Sequence, residues 1–139
     1  MARAPGVYGG NKVASAFRRR SQMLTPAKLR PIRHEALVPM LEMAKMHIAM
    51  NGSVHRGVLL NGMAIVDLQG NRSVIGATGK AIPIAHLVEF GTAPHWQPNR
   101  GVMHPGARPK PFLRPAFEEM KGEVVARFAN GLRAILQVT

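Results

Sequence analysis

The chain has 139 residues, no cysteine, and 19 lysines and arginines against seven aspartates and glutamates, a formal net charge of +12. That length suits one domain with a core of its own; the missing cysteines exclude disulfides, Cys-ligated zinc and thiol chemistry; and no apolar run approaches the roughly 18 residues of a membrane span. The basic excess favours polyanionic partners, either nucleic acid or an acidic protein surface, and without the apolar core of a secretory signal near its N-terminus the expectation is a soluble protein made in the cytoplasm.

Between Met1 and His34 there are eight basic residues and no acidic one. Residues 1–23 carry Gly6, Gly9, Gly10 and the run Arg18, Arg19, Arg20, with no sustained apolar period. They are expected to form an extended basic arm that orders against a partner, leaving 24–139 as the single domain. A solvated arm and an arm gripping a polyanion or partner through Arg18, Arg19 and Arg20 are both consistent with the charge.

Thr25-Pro26 is a helix start: threonine can cap orphan amides and proline is preorganised for the first helical position. From there to Met50, Leu29, Ile32, Leu37, Leu41, Ala44 and Ile48 recur at helical spacing. Pro39 lacks the amide of an internal turn, so a kink, or two helices meeting near Val38, is expected. Asn51-Gly52 is a natural stop. Val54 to Leu60, Met63 to Leu68 and Arg72 to Ala77 then read as short antiparallel strands, parted by Asn61-Gly62 and Gln69-Gly70-Asn71.

Pro83 to Phe90 fits a short helix with Gly91 just past its end, a final strand being the alternative. Six prolines between Pro94 and Pro115 point to an irregular loop. Pro115 opens the last helix, with Glu118 and Glu119 placed in its first turn and Phe117, Met120, Val124, Phe128, Leu132 and Ile135 as its apolar stripe. The whole predicts an α+β domain: a long kinked N-terminal helix, a small antiparallel sheet, a short helix, a Pro-rich loop and a C-terminal amphipathic helix.

No residue set carries an enzyme or a cofactor. Glu89 lacks the second carboxylate a general base would be paired with, and a structural role is preferred: it accepts hydrogen bonds from Arg114 or from amides near the loop. The histidines lack metal-ligand spacing, so no metal is expected. Gly76-Ala77-Thr78-Gly79-Lys80 lacks the Walker A spacing. Trp96, the only tryptophan, sits among prolines and reads as an interface anchor, whereas Phe112 and Leu113 read as core.

Val88-Glu89-Phe90-Gly91-Thr92 followed by Pro111-Phe112-Leu113-Arg114-Pro115-Ala116 resembles the neck or tail-completion (head-tail joining) family of long-tailed bacteriophages and related phage-like particles. The order of elements over residues 26–139 is similar too, although Asn51-Gly52-Ser53-Val54 stands where many members have a Thr-Gly-Arg-Leu-like turn, and Ala93 to Lys110 is a long loop. The resemblance implies a non-catalytic virion protein of the tail or neck. Its copies would form a homo-oligomeric ring, six by family likeness, that joins the tail to the head connector and lines or surrounds the DNA channel. Its partners would be itself, neighbouring connector and tail proteins, and DNA in the channel, with no membrane. The alternative is a basic nucleic-acid-binding protein using its N-terminal arm. Glu89, Phe90 and Gly91 with Phe112, Arg114 and Pro115 are expected to form one structural clasp, and His95, Trp96, Arg100 and Arg108 on the loop between to contact the neighbour.

Overall fold

The computed structural model describes residues 10–52 and 57–137, and these form an α+β fold. Gly10–Met23 is a helix, α1, and not the extended arm expected over residues 10–23; residues 1–9 lie outside the described ones. Helix α1 buries no residue, so its cationic side chains stay in water.

Thr25 caps α2 (Pro26–Met50), its hydroxyl accepting from the Lys28 amide at 3.4 Å with Pro26 just inside the helix. The helix runs on through Pro31 and Pro39, so two helices do not meet near Val38. Each proline removes one backbone bond. The loss is tolerated because α2 lies along the C-terminal helix α5 (Leu113–Gln137) for much of its length. Gly131 of α5 approaches Ile32 so closely that a Cβ would sit 2.4 Å from its Cγ2.

Asn51 and Gly52 end α2, Gly52 at φ +62°. The first expected strand is not one: Val58–Gly62 is a short helix, α3, and residues 54–56 fall outside the described range. Gly57, at φ +71°, turns the chain into it, and helical geometry buries Leu59. Asn61-Gly62 therefore ends a helix rather than turning a hairpin.

The other two strands form as expected. Strand β1 (Met63–Leu68) pairs antiparallel with β2 (Arg72–Ala77), from Met63 opposite Ala77 to Leu68 opposite Arg72. Gly70 and Asn71 supply the positive φ values of the turn. The hairpin is tied to α2 through Asp67, whose carboxylate accepts from the Ser73 hydroxyl, His34 and Arg30, while Arg33 donates to Ser73 and Asn71.

The Ser73 hydroxyl first, then His34 and Arg30, hold the Asp67 carboxyl well below its ordinary value of 3.8. A depressed folded pKa means that the stability Asp67 contributes is complete above 3.8 and is lost as pH falls below it towards the folded value. Asp67→Asn is thus expected to lower the denaturation midpoint at neutral pH, yet to lose less stability than the parent between about pH 4 and pH 2; urea titrations across that range check it.

A single 3-10 turn, Gly79–Ala81, leads into α4 (Ile82–Phe90), the helix favoured over a strand for this segment. The Pro-rich stretch is more regular than expected, holding β3 (His95–Gln97) paired with β4 (Val102–His104). The core lies where α2 meets both ends of the middle segment: Ala44, Ile48, Leu59, Met63, Ala81, Phe112 and Ala116 form one buried cluster. Among the described residues no helix is long and apolar enough to cross a membrane.

Candidate functional site

Glu89 stands in the last turn of α4, where the negative end of the helix dipole disfavours a carboxylate. It is also 8% exposed, and a buried carboxylate is costly unless hydrogen-bonded. The start of α5 meets both needs. Glu89 Oε2 accepts from the amides of Phe112 at 2.8 Å and Leu113 at 3.0 Å, and Oε1 from the amide of Arg114 at 3.0 Å. A helix leaves its first four amides without internal partners. In α5 three of these groups bind Glu89, and the fourth position is Pro115, which has no N–H. A side chain 23 residues upstream of Phe112 is therefore the N-terminal cap of α5.

Two further bonds close the joint. The Lys110 amide donates to the Val88 carbonyl at 2.8 Å, and Asn51 Nδ2, at the end of α2, donates to the Pro111 carbonyl at 3.0 Å. Phe112 is fully buried beneath, and Pro115 is half-buried. Two residues expected in the clasp are placed differently. Arg114 contributes its backbone amide and not its guanidinium, because the carboxylate is already filled by amides. Phe90 is 76% exposed and is not packed into the joint.

Between the motifs the chain makes one long hairpin. Thr92 and Ala107 exchange both backbone bonds, at 2.9 and 3.0 Å. His95 faces His104, Trp96 faces Met103 and Gln97 faces Val102 in the same register. The ladder is interrupted where Pro94 and Pro105, which cannot donate, stand opposite each other. At the tip, the Gln97 carbonyl accepts from the amides of Arg100 and Gly101. The base is held by close backbone contact: a Cβ on Gly106 would lie 2.3 Å from the Thr92 carbonyl oxygen, and one on Gly91 2.5 Å from that of Ala107.

Strand alternation gives the hairpin two faces. One carries the stacked rings of His95 and His104, with centroids 5.0 Å apart. The other presents Trp96, 56% exposed, beside Met103, 63% exposed. His95, Trp96 and Arg100 border one shallow hollow at the tip. Arg108 is not with them; it borders a separate groove between the hairpin and α4, which His95 also touches. Arg18, Arg19 and Arg20 are exposed on α1. Among the described residues no cluster of three or more histidines, aspartates or glutamates is placed to hold a metal ion.

Sequence reasoning missed an apolar face beside the joint. Ile82 and Phe90, one and the other end of α4, and Phe117 of α5 line one groove with Ala85, Leu113 and Arg114, although Ile82 and Phe117 are 60% and 51% exposed. The spacing of Ile82, His86 and Phe90 at four-residue steps was the available signal. The chain matches no family model, no curated protein and no solved structure.

Proposed function

We propose that this chain is a structural virion protein whose copies assemble into a ring at the head-tail junction of a phage or phage-like particle, as a neck or tail-completion component. The observation that carries the reading is the joint itself: the two motifs behind the resemblance are bonded to one another through Glu89, while Phe90, the next residue of the first motif, is left in water. Removing Phe90 from the fold's own packing is understandable if a neighbouring subunit covers it, since clustered exposed apolar residues mark interaction surfaces. A ring closes through heterologous contacts, in which one face of each copy meets a different face of the next. Ile82, Phe90 and Phe117 supply one such face, and six copies is the number that family likeness favours. Lys12, Arg18, Arg19 and Arg20 on α1 suit a surface that borders a DNA channel.

Immunogold labelling of particles released by cells that encode the chain tests this. Label is expected at a single position, between head and tail. Particles without label, or label spread along the tail, would overturn the proposal.

A further inference from the structure

The groove between α4 and the β3–β4 hairpin is separate from the Ile82, Phe90 and Phe117 face and has a chemistry of its own. Its floor is one face of α4, with Ile84, Leu87 and Val88 at helical spacing, and its far wall is Ala107 with the inner face of the hairpin. Leu87 is 42% exposed, and the groove encloses about 600 Å³, room for several side chains. Arg108 and Lys110 stand on its rim, exposed, and neither pairs with a carboxylate among the described residues. An apolar floor with an unneutralised cationic rim selects a ligand that is apolar in the middle and acidic at its edges.

A second copy of the chain, with seven aspartates and glutamates against 19 lysines and arginines, meets that description poorly. All seven of its aspartates and glutamates lie among the described residues. Asp67 is held by Arg30, His34 and Ser73 and Glu89 by three amides, while Glu42, Glu118, Glu119 and Glu123 pair with Lys45, Lys121, His47 and Arg127. Among the described residues only Glu35 makes no such pair, on a chain of net charge +12. We infer that the groove between α4 and the hairpin docks an acidic, apolar-centred segment of a different protein, with Leu87 meeting its apolar side chains and Arg108 and Lys110 its carboxylates. This holds whether or not the chain closes into a ring.

The test is fluorescence anisotropy with the full chain and a labelled synthetic helix-forming peptide carrying leucines on one face and glutamates on both flanks, beside a matched peptide with lysines for the glutamates. The glutamate peptide is expected to bind, and the lysine peptide to bind at least about tenfold more weakly. The double variant R108E/K110E should reverse that preference, and Leu87→Ser should weaken the glutamate peptide by about tenfold while Trp96→Ala, on the outer face, leaves it unchanged. These sites are exposed, so circular dichroism is expected to show each variant folded. Equal binding of both peptides, indifference to R108E/K110E, or no binding at all would each overturn the inference. So would loss of the chain's own oligomer in Leu87→Ser, which would make the groove a self-contact, or displacement of the peptide by duplex DNA at equal charge concentration, which would make it a general polyanion site.

Discussion

Glu89→Ala is expected to lower the unfolding free energy by about 4 kcal/mol, because it strips the acceptor from three amides at the start of α5 in a site with little access to water. Domains of this kind are stable by roughly 5–15 kcal/mol, so the variant would sit near its folding threshold. Glu89→Gln retains one carbonyl oxygen but turns an NH2 group towards donors, and about half of that loss is expected. Urea denaturation followed by circular dichroism checks both. The order Ala worse than Gln, and Gln worse than the parent, is the signature of a carboxylate cap; a Gln variant as stable as the parent would remove it.

Gly91→Ala is expected to be almost as damaging, at about 3 kcal/mol or more, for two reasons that act together. Gly91 has φ +74° and ψ −176°, a backbone region that only glycine enters readily. Its added Cβ would also lie 2.5 Å from the Ala107 carbonyl oxygen and 2.8 Å from the Pro109 nitrogen, backbone atoms that cannot move without opening the Thr92–Ala107 bridge. Gly101→Ala separates the two causes. Gly101 shares a positive φ of +61° but has open space around it, so a loss of about 1 kcal/mol is expected there. Hydrogen exchange at the Thr92 and Ala107 amides should accelerate in the first variant and stay near parental in the second.

Local chemistry made part of this fold legible. Thr25-Pro26 and Asn51-Gly52 bound α2, Gly91 ends α4, and the β1–β2 hairpin lies where short segments rich in Val, Ile and Leu flank Gln69-Gly70-Asn71. What escaped depended on partners distant in sequence. Val58 to Leu60 are apolar in a run too short to declare a period, and burial of Leu59 against the core settles it as helix. Pro39 argues for a broken helix only until α5 lies alongside. The prolines of the long excursion read as a barrier to pairing; Pro94 and Pro105 fall opposite each other, a coincidence that only the register discloses. For the joint, Glu89 near amides was legible as one of two alternatives, but the choice of amides over the Arg114 fork follows from the start of α5, whose three orphan amides occupy both carboxylate oxygens. Phe90 is expected in the clasp because it lies in the motif beside Glu89; its 76% exposure depends on the helix face it occupies, which the motif alone does not disclose.

The joint between α4 and α5 thus fixes the hairpin on one side and leaves Ile82, Phe90 and Phe117 open on the other. The claim that this open face builds an assembly is tested most directly by the native mass of the purified full chain beside its Phe90→Glu variant. The expected result is one closed oligomer of a single mass for the parent and a folded monomer for the variant. A parent that stays monomeric through the micromolar range, or an oligomer that Phe90→Glu leaves intact, would contradict it.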